Sequence, residues 1–128
     1  MIKNYLENLK VIRFSGRAGV KEFWLFQLAM FIASFLLGFV SAIINAIFGA
    51  LNMGALGLIL MIFTIMIFWI YHMFASLALM VRRLHDTNKS GVYYFVSLIP
   101  MVGAILLFIL MILPSDDHVN NYGPEEQF

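Results

Sequence analysis

Arg82-Arg83-Leu84-His85-Asp86-Thr87-Asn88-Lys89-Ser90-Gly91 is the densest polar segment of the chain. Guanidinium forks match the oxygens of phosphate and carboxylate, so the segment reads as a site for an anion: a lipid head group, a phosphate or an acidic partner. The same charges would serve a plain stop-transfer anchor, and both readings stand. Arg82 and Asp86 are four apart and would pair on one helical face. His85 beside Asp86 is too little for a metal, which needs three or more convergent ligands, and there is no Cys to supply a thiolate. No nucleophile with a base at fixed spacing and no phosphate-cradling loop is present. No catalytic residue, metal or cofactor is therefore expected.

His72 is the one ionisable side chain within an apolar stretch. It lies ten residues before Arg82, or about 15 Å along a helix, which would set it near a bilayer midplane. Pro100 reaches a similar depth from Lys89 and frees the Val96 carbonyl, and Ser34 reaches it from Glu22. A polar cluster of His72, the Val96 carbonyl and Ser34 is expected there. It would be either a functional group or an interhelical hydrogen bond.

The elements that position these groups are apolar helices. From Phe23 to Val81 the chain runs 59 residues without Lys, Arg, Asp or Glu, and a second such run covers Ser90 to Ser115. Each central charge would cost about 2.5–3.5 kcal/mol on insertion, so these runs read as bilayer spans. With 62% hydrophobic and 12% charged residues in 128, one membrane domain accounts for the whole chain. One crossing needs about 20 residues, so the first run holds two helices, broken at Gly49-Ala50-Leu51-Asn52-Met53-Gly54. The expected architecture is all-α and polytopic: a surface segment 1–22, transmembrane helices at 23–48, 55–81 and 92–113, and a tail 114–128.

Charge distribution orients this arrangement. All eight basic residues precede the third span, and with Glu7, Glu22 and Asp86 they give +5 on one side. Asp116, Asp117, Glu125 and Glu126 give the tail −4. By the positive-inside rule the N-terminus and the Arg-Arg loop are cytoplasmic and the tail is external. Ile2, Tyr5, Leu6, Leu9 and Ile12 recur at helical spacing opposite Lys3, Asn4, Glu7, Asn8 and Lys10, which predicts an amphipathic helix on the membrane surface. Gly19 suits an N-cap, with Glu22 reaching back to the free amides of that turn. Ser34, Gly38, Ala42, Ala46 and Ala50 form a small-residue stripe, expected to pack against a neighbouring helix of the same chain. Asn120-Asn121-Tyr122-Gly123-Pro124 suits a compact turn, with Tyr122 docked on the outer helix ends.

Phe14-Ser-Gly-Arg17, Glu22-Phe23-Trp24, Arg82-Arg-Leu-His-Asp-Thr with Ser90-Gly91, Pro100, and Asn121-Tyr122-Gly123-Pro124 together resemble a family of small bacterial inner-membrane proteins. That family is catalogued as domain of unknown function 805, and the resemblance runs from Phe14 to Pro124. It implies location in the inner membrane and this architecture, and it brings no activity. It also implies one shared polar site of Arg17, Glu22, Arg82, Arg83, His85 and Asp86 at the cytoplasmic boundary.

Three classes of function follow. The leading one is a non-enzymatic binding or accessory protein that engages anionic lipid or membrane-protein partners through that boundary site. A second is a transporter or channel built from several copies, with His72 and Ser34 at its waist. A third is a membrane-embedded enzyme using Glu22, His85 and Asp86. The partners expected are the bilayer, anionic lipids, other membrane proteins or further copies of the chain, and not nucleic acid.

Overall fold

Two long antiparallel helices dominate the structure, α2 (Val20–Ala50) and α3 (Gly54–Asp86). The computed structural model describes residues 1–124, so Glu125 and Glu126 lie outside the described part of the tail. At 1.5 Å per residue the two helices are about 46 and 50 Å long, ample for a bilayer. Only 6% of the apolar stretch of each is buried within the chain, so these helices are not the core of a water-soluble fold. Gly19 caps α2 as expected. Both helices stop at asparagine. Asn52 and Asn88 adopt the left-handed conformation (φ 58° and 57°), and the next amides, Met53 and Lys89, donate back to the Phe48 and Leu84 carbonyls. Asparagine tolerates that backbone where most residues would not.

The small-residue stripe does not form the contact with α3. Gly38, Ala42, Ala46 and Ala50 are exposed, and the turn of α2 that carries Ser41 faces α3 instead. On α3, Gly57 allows a close approach: a Cβ there would meet the Phe48 Cβ at 2.7 Å and the Asn45 Oδ1 at 2.9 Å. The packed core is concentrated at the charged end, where Ala18, Phe23, Phe26, Ala75, Leu79, Leu84 and Met111 meet.

Residues 92–113 do not form one continuous helix. A 3₁₀ helix (Gly91–Leu98) is followed by a turn at Pro100-Met101 and then by α4 (Gly103–Ile112). Met101 takes a left-handed φ of 67°, and a Cβ on Gly103 would lie 2.5 Å from the Val96 carbonyl oxygen, so the chain doubles back on itself. Both ends of this hairpin meet the same end of α3. Gly91 abuts Val81, while Arg83 donates to the Met111 and Leu113 carbonyls. Eight 3₁₀ residues reach about 16 Å and ten α-helical residues about 15 Å, half of a 30 Å hydrocarbon core. The physical reason lies at Pro100, expected inside the third span with the Val96 carbonyl freed. Here its missing amide and the left-handed Met101 reverse the chain instead.

The tail consequently lies at the same end of the molecule as Arg82–Asp86, not at the opposite end as its charge suggested. Asp116 donates its amide to the Asp86 carbonyl, and Asn120 donates its side-chain amide to the His85 carbonyl. Among the described residues, every charged side chain is therefore on that one side, and the turn between α2 and α3 carries none.

The surface helix α1 (Ile2–Lys10) forms, and its docking face combines Tyr5 and Leu9 of the expected apolar stripe with Asn4 and Asn8, which were assigned to solvent. Asn4 and Asn8 are buried, whereas Ile2 and Leu6 are exposed. Hydrogen-bond demand from buried Glu22 and Arg82 outweighs the apolar periodicity of this short helix.

Candidate functional site at the charged end

The six side chains singled out at the boundary, Arg17, Glu22, Arg82, Arg83, His85 and Asp86, all converge and are all buried. They form two linked groups. In the first, the Asp86 carboxylate accepts from Arg17 Nε at 2.9 Å and from Arg83 Nη1 at 2.7 Å, with all three side chains fully enclosed. In the second, Glu22 Oε1 accepts from Arg82 Nη2 at 3.2 Å and from Asn8 Nδ2 at 3.2 Å. In place of the Arg82–Asp86 pair drawn from i,i+4 spacing, Asp86 pairs with Arg83 and Arg82 reaches Glu22 of α2. Glu22 is occupied by this pairing and makes no return bond to the α2 amides.

Most of the remaining arginine donors serve the chain's own backbone. Arg17 donates to the carbonyls of Asp116 (2.5 Å), His118 (2.8 Å), Asp86 (3.2 Å) and Gly123 (3.3 Å). Arg82 donates to Asn8 Oδ1 at 2.9 Å and to the Arg17 carbonyl at 3.1 Å. The Ala18 amide returns a bond to the Arg82 carbonyl at 2.9 Å, strapping the segment before α2 onto the end of α3. Asn4 donates to the Glu22 carbonyl at 2.9 Å. Asn4 and Asn8 are thus members of the site that the sequence reading assigned to solvent. Their shared helical face, four apart, is the signal that could have found them.

His85 donates from Nδ1 to the Gly16 carbonyl at 3.0 Å and stacks on Tyr122, centroids 3.9 Å apart and ring planes nearly parallel. The tail turn holding Tyr122 is closed by paired Asn120–Gly123 backbone bonds of 3.1 Å each, as its composition implied. Its docking partner is His85 at the charged end, where the sequence reading had placed Tyr122 on the outer helix ends.

His72 does not meet Ser34 or Val96. Ser34 donates to the Met30 carbonyl of its own helix, and the Val96 carbonyl accepts from the Ile99 amide. His72 Nδ1 bonds the Phe68 carbonyl at 2.8 Å, which leaves Nε2 to accept from the Tyr5 hydroxyl of α1. Tyr71 likewise donates to the Leu9 carbonyl. Burial raises the Tyr5 phenol above its ordinary value of 10.0. His72 therefore helps to seat α1.

A model of the family described as protein of unknown function (DUF805) matches residues 11–124. The chain belongs to that family. Inner membrane protein YhaI of Escherichia coli (strain K12) is 31% identical over 128 residues, covering all of this chain and 92% of the relative. Inner membrane protein YhaH of the same strain is 31% identical over 122 residues, covering 94% of this chain and 93% of the relative. No solved structure matches. With these relatives and its two exposed apolar helices, the chain is an integral inner-membrane protein. Every motif that carried the resemblance except Pro100, which turns the hairpin, contributes residues to the buried network or to the segments that it ties together.

Proposed function

We propose that this family member is a non-enzymatic accessory protein that binds the anionic cytoplasmic leaflet. In this reading it crosses the membrane twice, with both termini and both ends of the hairpin in the cytoplasm. The buried arginine–carboxylate network acts as a lock that fixes α1, the hairpin and the tail over the two-helix anchor. The observation that carries this reading is the direction of the Arg17, Arg82 and Arg83 donors. They point into the chain, so the cations open to a head group are the lysines around it. Lys3, Lys10 and Lys21 are exposed on the same side of the protein. Each basic residue near an anionic surface contributes about 1 kcal/mol.

Two measurements test this reading. A reporter joined after Phe128 should be active only in the cytoplasm, and one inserted between Leu51 and Met53 only outside. A C-terminal reporter active outside would refute the two-crossing arrangement. Native mass spectrometry should show preferential retention of phosphatidylglycerol over phosphatidylethanolamine, and Lys3→Gln, Lys10→Gln and Lys21→Gln together should abolish that preference. A preference unchanged in the triple variant would refute leaflet binding by these lysines.

A further inference from the structure

An elongated groove of about 460 Å³ opens between α2 and α3 beside the hairpin. Its walls are apolar, with Met30, Trp69, Ile70, Met73 and Leu77 among them; no Lys, Arg, Asp or Glu lines it, and both ring nitrogens of His72, which does, are taken by Phe68 and Tyr5. Two of its lining residues, Gln27 and Ser76, carry donors that lack a strong partner. The Gln27 side-chain nitrogen is buried without any partner among the described residues, and Ser76 donates only to the Met30 sulfur at 3.4 Å. Thioether sulfur is a weak acceptor, and a buried amide left without a bond is costly. The groove thus offers donors, no charge and a long apolar wall. That pattern fits a neutral acceptor carried on a hydrocarbon chain.

Depth selects among such molecules. Gln27 lies five residues from Glu22, and Ser76 six from Arg82, so both donors sit about 8–9 Å inside the charged end. From there the wall continues along α3 to Trp69, about 10 Å further toward the other end of the pair. A phospholipid has this order: a charged head, then ester carbonyls, then acyl chain. We propose that the groove is a phospholipid site, with the ester carbonyl accepting from Gln27 and Ser76 and the acyl chain lying against Ile70, Met73 and Leu77. The site depends on the membrane reading above but not on the lysines, because nothing in the groove distinguishes one head group from another.

The test uses the full chain, extracted from vesicles of mixed phosphatidylethanolamine and phosphatidylglycerol, washed in mild detergent and weighed by native mass spectrometry. The wild type should keep one phospholipid per chain, and so should the variant with Lys3, Lys10 and Lys21 all replaced by Gln, there of either head group. Gln27→Leu removes the donor and should speed lipid loss about threefold to tenfold, the weight of one net hydrogen bond. Leu77→Trp fills the groove without touching either donor and should abolish retention. Circular dichroism of both variants should match the wild type; for any variant that loses helix, Met73→Trp replaces it as the groove-filling test. Loss of all lipid from the wild type on washing would overturn the site. So would retention unchanged in the groove-filling variant, loss of the lipid in the lysine variant, or recovery of a quinone or other non-phospholipid in its place.

Discussion

Asp86→Asn is the sharpest probe of the buried lock. The carboxylate is fully enclosed and accepts two charge-assisted bonds, 2.9 Å from Arg17 and 2.7 Å from Arg83. An amide of equal size keeps one acceptor oxygen but removes the charge between two guanidinium groups and turns an NH₂ toward one of them. Removing one partner of a buried ion pair costs about 3–5 kcal/mol. Arg17 and Arg83 retain their carbonyl acceptors, which places the expected cost near the lower limit, about 3 kcal/mol, or about a hundredfold in an opening equilibrium. What should open is the strap of Gly16–Ala18 on the end of α3. The chain has no native cysteine, so Ala18→Cys introduces a single thiol in a position with no exposure. When opening and closing are fast, the maleimide labelling rate follows the open population. Labelling should rise about a hundredfold on adding Asp86→Asn, with helix content by circular dichroism nearly unchanged. A rise of less than about threefold would refute the lock, since it corresponds to under about 0.7 kcal/mol.

Three further outcomes are expected. Gly103→Ala places a Cβ 2.5 Å from the Val96 carbonyl and 2.7 Å from the Ser97 carbonyl, both backbone atoms, and should destabilise the hairpin by about 1–3 kcal/mol in thermal unfolding. Tyr5→Phe and His72→Phe should be non-additive by about 0.5–1.5 kcal/mol in a double-mutant cycle; full additivity would deny their bond. In an ultraviolet titration one tyrosine should ionise above the ordinary phenol value and disappear from that position in Tyr5→Phe. Because the folded value is raised, its stabilisation is complete below pH 10, the ordinary value, and is lost as pH rises through the folded value.

The long helices were legible because their signals are long. The uncharged run and the Gly49–Gly54 break placed them to within five residues at each end, and α3 overran its expected end because charged residues continue a helix readily. The convergence of Arg17, Glu22, Arg82, Arg83, His85 and Asp86 was legible from the family pattern, but the pairing was not. Sequence spacing favours local partners, whereas buried arginines are satisfied by whichever carboxylates and carbonyls the fold brings near. The hairpin was missed because a run of 26 uncharged residues has the length of a crossing. Only the backbone at Met101 and Gly103 distinguishes a reversal from a continuous helix.

Why Arg17 and Arg83 should be buried at this end has an answer in the backbone. The hairpin ends α4 at Leu113 with carbonyls that have no helical donor. Arg83 supplies donors to the Met111 and Leu113 carbonyls, and Arg17 does the same for three carbonyls of the irregular tail. Each guanidinium then needs a counter-charge, which Asp86 gives to both. On this argument the Arg-Arg-Leu-His-Asp segment and the hairpin require each other. A lysine at position 83, with three donors on a compact ammonium in place of a planar fork, could not span Asp86 and both carbonyls. Arg83→Lys should therefore release the hairpin, read as faster labelling of a cysteine placed at Met111, while the α2–α3 pair persists. Labelling equal to that of the parent would show that the carbonyls do not depend on the guanidinium.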